Sequence, residues 1–238
     1  MKKINAELIT INTINPSGAV KTLEYCNKLF RFEKITLFTN TKIKGENFDV
    51  VNINPFKNLD EYSDFCLTLT NYIKSDYVIL VHEDGHFVNG NLWSDDFYKY
   101  DYIGAPWPDD ENWFNTASGF DKKKANFVKS CIKKNRIGNG GFCLRSKKFL
   151  DYSKQFSTCN NIPEDFFLCS YNYDLAMESK IKFPSVNVAM KFSYENALQF
   201  PFYKKWVQGK TFNQNKHLGW HGWNFKNSNN LMKLKDKI

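Results

Sequence analysis

Residues Tyr77–Asn89 read YVILVHEDGHFVN. An apolar run passes without a break into His82, Glu83, Asp84, Gly85 and His86. A short hydrophobic strand whose carboxyl end carries ligand-type side chains is how open α/β sheets place a site. The run predicts a strand over Tyr77–His82. Alternate strand residues share a face, so His82 and Asp84 point one way and Glu83 the other. Gly85 then lets the chain turn where a Cβ would obstruct it.

The residues before this stretch supply the rest of a sheet. Ala6–Ile11 (AELITI) alternates as a first strand, and Asn12–Ser17 is a turn in which Ser17 can cap a helix. Val20, Leu23, Cys26 and Phe30 follow helical spacing. Lys34–Thr39 (KITLFT) and Asp49–Ile53 (DVVNI) read as the next two strands. Asn58 with Glu61 three residues later resembles a capping box. The helix it starts would carry Tyr62, Phe65, Cys66, Leu69 and Ile73 on one face. This β-α-β-β-α-β order predicts an α/β fold with a mixed, mostly parallel sheet flanked by helices.

After Asn89 the pattern changes. Trp93–Tyr100 predicts a short helical turn, and Asp101–Pro108 (DYIGAPWP) a strand fragment running into a proline corner. Asp109–Asn135 is polar, weakly periodic and long enough to be a mobile flap. Gly138–Ser146 (GNGGFCLRS) reads as a glycine-rich turn entering a strand. Lys147–Phe156 and Pro163–Tyr171 read as helices, with Pro163 at the first position of the second. Lys182–Val188 reads as a strand, and the remainder as irregular aromatic chain with a basic tail.

Composition bounds the class. The 238 residues are 42% hydrophobic and 17% aromatic, enough for one sizeable core, and no linker divides them. We therefore expect a single domain over 1–238. Residues 1–90 would form a nucleotide-binding half, 91–225 an acceptor and catalytic half, and 226–238 the basic tail. No stretch approaches the ~20 apolar residues of a membrane helix, and the N-terminus lacks a signal-peptide core; the expectation is a cytoplasmic protein. Six cysteines without a CxxC pair are read as reduced, buried thiols. The net charge of +8 suits solubilising lysines as well as an anionic partner or membrane surface. No GxGxxG follows the first strand and no GxxxxGK[ST] is present, so the dinucleotide-binding and P-loop readings lose their main support.

Four motifs can carry chemistry, and each has a plainer reading. His82-x-Asp84 puts an imidazole and a carboxylate on one face, a donor pair for Mn²⁺ or for Mg²⁺ with waters; Glu-Asp-Gly is also an ordinary turn. Gly138-Asn139-Gly140-Gly141 permits close backbone approach to a ligand, or is a type I′ hairpin turn. Glu164 and Asp165 after Pro163 can supply a general base, or complement a helix dipole. Gly219-Trp220-His221-Gly222-Trp223 offers a distant metal ligand between indoles that could stack on a sugar, or a hydrophobic plug.

Taken together, these residues resemble the GT-A glycosyltransferases. The similarity is greatest to an uncharacterised glycosyltransferase-like family described as a domain of unknown function. It is carried by Asp84-Gly85, Asp101–Trp107, Gly138–Ser146, Pro163–Asp165 and Trp220–Gly222, in that order, over about residues 75–225. The resemblance implies that Asp84 and His82 stand at the D-x-D metal motif, with His82 replacing the first aspartate. It implies that His221 is the late histidine completing the metal shell. It also implies that Gly140 and Gly141 line the donor or acceptor pocket, that Asp165 or else Glu164 is the base of an inverting enzyme, and that Thr10, Asn12 and Thr13 lie near the nucleotide.

The resulting expectation is a hexosyltransferase-like enzyme using a nucleoside-diphosphate sugar and Mn²⁺ or Mg²⁺. Its acceptor would be a hydroxyl on a glycan, a lipid-linked sugar or a protein. Trp107 and Trp220 would form the acceptor wall, part of Asp109–Asn135 would close over the donor, and the basic tail could touch a membrane surface. No nucleic-acid partner is expected. A nucleotidyltransferase and a non-catalytic carbohydrate- or polyanion-binding module are the rival readings.

Overall fold

The structure is a computed structural model and describes residues 1–107, 121–195 and 215–222. Strand β1 (Lys2–Lys3) is followed by β2 (Glu7–Ile11), helix α1 (Pro16–Leu29), β3 (Phe30–Arg31), β4 (Lys34–Thr39) and β5 (Asp49–Asn52). The cap of α1 is not Ser17. Proline lacks an N–H and has a fixed φ suited to the first helical position, so Pro16 opens the helix and Asn15 accepts from Gly18 N–H. Helix α2 (Leu59–Cys66) begins at Asn58, whose side chain accepts from Glu61 N–H at 3.0 Å. Glu61 reaches back to Lys57 N–H, one residue earlier than in a standard box. The helix stops at Cys66, and Leu69–Asn71 forms a separate 3₁₀ turn.

Strand β6 (Tyr77–Val81) is joined by a tight hairpin to β7 (Gly85–Phe87). His82 and Gly85 exchange backbone hydrogen bonds across it. Two 3₁₀ turns, Gly90–Leu92 and Asp95–Lys99, lead to β8 (Tyr102–Pro106). Part of the stretch expected to be a flap is helix α3 (Lys122–Lys134), capped by Asp121. Its buried residues Ala125, Val128 and Ile132 pack on Trp107 and Phe166; residues 108–120 lie outside the described residues.

The glycine-rich segment is strand, not turn. β9 spans Ile137–Ser146 without interruption and every residue of it is buried. Helix α4 (Lys147–Ser153) follows, then α5 (Glu164–Phe166), with Pro163 as its cap rather than its first residue, running into a π-helical turn Phe167–Tyr171. Helix α6 (Tyr173–Glu178) and α7 (Val186–Phe192) come next. Lys182–Val188 is therefore not a strand. Only Lys182 bonds in a strand-like way, to Asp101. Strands β10 (Ser193–Glu195) and β11 (Gly219–His221) complete the described chain. Trp223 and the tail 226–238 lie outside it.

The central sheet has six strands in the order β5-β4-β2-β6-β9-β8. The first four are parallel, and β9 runs antiparallel to both its neighbours. Both faces are covered, which is why β6 is apolar at every position. Val78 and Leu80 join the core under α2 and α4, while Ile79 and Val81 join the core under α1 and α7. Burying one such side chain contributes about 1.5–3 kcal/mol. Phe142 of β9 stacks on Phe192 of α7 and meets Phe87 of β7 edge-on, tying the second, three-stranded sheet β10-β11-β7 to the first. All six cysteines are buried free thiols, and among the described residues no helix is long and apolar enough to cross a membrane.

Candidate functional site

The site lies where β6 ends. Because β6 is parallel to β2 and antiparallel to β9, its carboxyl end opens beside Gly141, whose carbonyl accepts from His82 N–H. His82 follows directly on the strand and Asp84 lies in the hairpin. Glu83 faces away, toward the α1 N-terminus, where it accepts from Asn15 Nδ2 at 2.6 Å. Glu-Asp-Gly is thus a tight turn, and Glu83 is the member of it that points away from His82 and Asp84.

Strand register brings in His221. It pairs with Gly85 of β7 on one side and with Glu195 of β10 on the other. Its Nδ1 is 2.9 Å from Glu195 Oε2, and its Nε2 is 3.6 Å from Asp84 Oδ2. One ligand atom each of His82, Asp84 and His221 lie within 4.8 Å of one another. Ligands held at ~2.1 Å by one ion sit ~3–4 Å apart, so a small inward movement would close the set around a cation. Two imidazole nitrogens and a carboxylate, with a buried second carboxylate behind, are donors that fit a divalent metal.

Glycine makes this packing possible. A Cβ on Gly141 would lie 2.0 Å from His221 Cδ2 and 2.2 Å from its Nε2. A Cβ on Gly85 would lie 2.3 Å from the Gly141 carbonyl oxygen. Gly85 has no positive φ; close approach, not turn geometry, requires it. At Gly140 a Cβ would come within 3.1 Å of both Asp165 Cβ and Glu164 Oε1.

The two acidic residues of α5 have different surroundings. Glu164 is 5% exposed and takes a 2.7 Å hydrogen bond from Arg145, so it is committed to a buried ion pair. Asp165 accepts from Gly140 N–H at 2.8 Å and from Phe166 N–H at 2.7 Å. Burial, then the neighbouring Glu164 charge, pushes the Asp165 carboxyl up to about 7 despite those bonds. The histidines split the other way. Burial and the nearby His221 charge hold His82 down at about 4. Burial also opposes charge on His221, but the charge and hydrogen bond of Glu195 outweigh it and raise the group to about 9.

The remaining expected residues are placed less directly. Thr10 is buried within β2. Asn12 accepts from the N–H groups of Ile14 and Asn15, and Thr13 accepts from Phe56 N–H; both shape the loop between β2 and α1. Trp220 cannot form an acceptor wall: it is 1% exposed and packs with Tyr194, Val88 and Met190. Among the described residues of its motif, Gly219–Gly222, Trp220 packs inward and His221 reaches the cluster with His82 and Asp84. Trp107 lies against Gly138, Phe166 and the inner face of α3, so its ring supports the residue after Asp165. His86 is buried beside Tyr25 and Trp220 and takes no part in the cluster. Sequence reasoning missed Tyr62, Arg145 and Glu195. Tyr62 OH is 2.9 Å from His82 Nε2. An arginine in an otherwise apolar strand was the available signal for Arg145; nothing in the residues around Glu195 marks it.

The described architecture is a GT-A-type α/β fold. It is similar to the galactosyltransferase LgtC in complex with donor and acceptor sugar analogues, with a TM-score of 0.51 at 10% identity over 98% of this chain and 96% of that one. An active-site mutant of LgtC, in which a glutamine is replaced by glutamate, matches equally, with a TM-score of 0.51 at 11% identity over 97% and 95%. The inositol-1-phosphate CTP transferase from T. maritima is more distant, with a TM-score of 0.45 at 12% identity over 74% and 84%. No curated protein sequence matches the chain. Residues 46–209 match the family DUF5672, described as a protein of unknown function, and the chain belongs to that family.

Proposed function

We propose that the protein is a glycosyltransferase that moves a sugar from a nucleoside-diphosphate sugar to a hydroxyl acceptor. One observation carries the reading: in a GT-A fold, His82, Asp84 and His221 converge at the end of β6, and Asp165 is anchored to the adjoining glycine of β9.

In this reading His82, Asp84 and His221 would hold a divalent cation, which would supply positive charge to the diphosphate of the donor and to the departing nucleotide. The loop Asn12–Asn15, tied to the hairpin through Glu83, borders the nucleotide. Asp165 takes the proton of the acceptor hydroxyl. A carboxyl held near 7 is suited to this, because it is partly ionised at neutral pH and basic enough to accept a proton. This reading assumes inversion at the anomeric carbon. Glu164 seats Asp165 rather than substituting for it. The acceptor class, whether glycan, lipid-linked or protein, is left to the part of the site that Asp165 faces.

The test is a thermal-shift panel of nucleoside diphosphates and their sugars, each with and without Mn²⁺ or Mg²⁺. A ligand at 100 times its Kd stabilises the fold by about 2.7 kcal/mol, well within detection. Stabilisation by one nucleotide family is expected. If no nucleotide raises the melting temperature under any metal condition, the donor site is not there.

A further inference from the structure

Each of the two imidazoles of the cluster has one ring nitrogen already engaged by a side chain that is not a ligand. His221 Nδ1 is held by Glu195 Oε2 at 2.9 Å, and His82 Nε2 by Tyr62 OH at 2.9 Å. A carboxylate can only accept, so His221 carries a proton on Nδ1 and turns Nε2 toward Asp84. A phenol hydroxyl both donates and accepts, so Tyr62 OH can take the proton of His82 Nε2–H. The nitrogen of His82 that remains is Nδ1.

Both partners are fixed independently of the cluster. Glu195 is 1% exposed and is the cross-strand neighbour of His221 in the β10–β11 pair. Among the described residues its Oε1 has no hydrogen bond. Such an isolated buried carboxylate is costly unless its charge serves something, and the group it faces is His221. Tyr62 sits on α2, packed edge-on against Phe56, and its ring meets His82 at 6.0 Å. Metal-binding histidines commonly donate their second nitrogen in this way, which fixes the tautomer and aims the ring.

We propose that Tyr62 and Glu195 are positioning residues that present His82 through Nδ1 and His221 through Nε2, and that the site so built selects a first-row transition ion over Mg²⁺. The inference rests on the metal-assisted reading above. Its chemical basis is the donor set. Imidazole nitrogen suits Mn²⁺, Co²⁺ and Zn²⁺ in rising order, whereas Mg²⁺ prefers oxygen and keeps its waters. A second imidazole in place of a carboxylate moves the preference away from Mg²⁺. Tautomers fixed in advance mean that no ring has to turn when the ion enters.

The experiment is direct metal binding by the full chain, followed by calorimetry for Mn²⁺, Zn²⁺ and Mg²⁺ and by the spin-resonance signal of free Mn²⁺. Mn²⁺ and Zn²⁺ are expected to bind at least ~10-fold more tightly than Mg²⁺. Glu195→Ala and Tyr62→Phe should each weaken Mn²⁺ binding by about 10- to 100-fold, with Glu195→Gln, which keeps an acceptor, between wild type and alanine. In the Zn²⁺-loaded protein, two-bond ¹⁵N–¹H spectra should show His82 protonated on Nε2 and His221 on Nδ1. A merely structural role for the two residues would move neither the tautomers nor the Mn²⁺/Mg²⁺ ratio. Equal binding of Mg²⁺, unchanged Mn²⁺ affinity in the folded variants, or the opposite tautomer on either ring overturns the proposal. Should Glu195→Ala not fold, Tyr62→Phe and the wild-type selectivity still decide it. Tight, selective metal binding without stabilisation by any nucleotide would sink the donor site and leave this inference standing.

Discussion

Arg145 and Glu164 form an ion pair at 2.7 Å whose two side chains are 1% and 6% exposed. Arg145 comes from β9 and Glu164 is the first residue of α5, so the pair pins the helix that carries Asp165 to the strand that carries Gly140. Removing one partner strands the other charge in the interior, which costs about 3–5 kcal/mol. Glu164→Ala should therefore lower the unfolding free energy from urea titration by that amount. Arg145→Met combined with Glu164→Leu should recover much of the loss, since an apolar pair of similar volume leaves no orphaned charge. A Glu164→Ala stability within about 1 kcal/mol of wild type would show that the pair does not anchor α5.

Gly141→Ala should separate the metal site from the fold. The added methyl would overlap the His221 ring at 2.0–2.2 Å, and the ring, standing beside a short strand, has to move. Mn²⁺ affinity should fall more than ~10-fold, as it does when a ligand is misaimed, while circular dichroism stays that of the wild type. Gly140→Ala meets Asp165 at a less severe 3.1 Å; it should spare metal binding and reduce turnover. Equal effects of the two substitutions on Mn²⁺ would contradict this division of the glycines.

These glycines also show what the sequence can and cannot disclose. The strand Tyr77–Val81 is legible because both faces of a central parallel strand are covered, so its residues are uniformly apolar. The Asn58 cap is legible because capping is local. Gly138–Gly141 reads as a turn because its neighbours, Trp107, Asp165 and His221, are remote in sequence and leave no trace in the segment itself. Glu195 is invisible for the same reason: nothing in Ser193–Glu195 marks a functional carboxylate until β10 is paired with β11. His82, Asp84 and His221 can be picked out singly because ligand types outside a periodic pattern stand out. The start of Val186–Phe192 reads as strand because Val186 and Val188 alternate, a pattern too short to exclude a helix.

Asn15 has two tasks that one substitution can test together. Its Oδ1 caps α1 through Gly18 N–H and its Nδ2 donates to Glu83. Asn15→Ala removes both and should cost about 1 kcal/mol from the lost cap. Asn15→Asp keeps the cap acceptor but places a carboxylate against Glu83. It should retain most of the stability at low pH and lose it as both acids ionise. A stability difference between the two variants that does not change with pH would mean that the Glu83 contact contributes nothing.

Asp165 gives the sharpest pH dependence. Burial and Glu164 raise it to about 7, whereas in an unfolded chain an aspartate titrates near ~3.9. Between these values the folded protein holds a proton that the unfolded chain has released, so this group makes stability fall as pH rises from about 4 to about 7 and adds no slope beyond. Asp165→Asn should remove that slope and stabilise the protein at neutral pH. Transfer depends on the opposite form. A base must be ionised, so kcat/KM of the wild type should climb through an acid limb centred near pH 7. Asp165→Asn should reduce transfer by about 10²- to 10⁴-fold while leaving the stabilisation by nucleotide and the affinity for Mn²⁺ unchanged. A variant that keeps its turnover, or a wild-type profile flat between about pH 5 and 8, would remove Asp165 from the chemistry and leave it as the residue that ties α5 to β9.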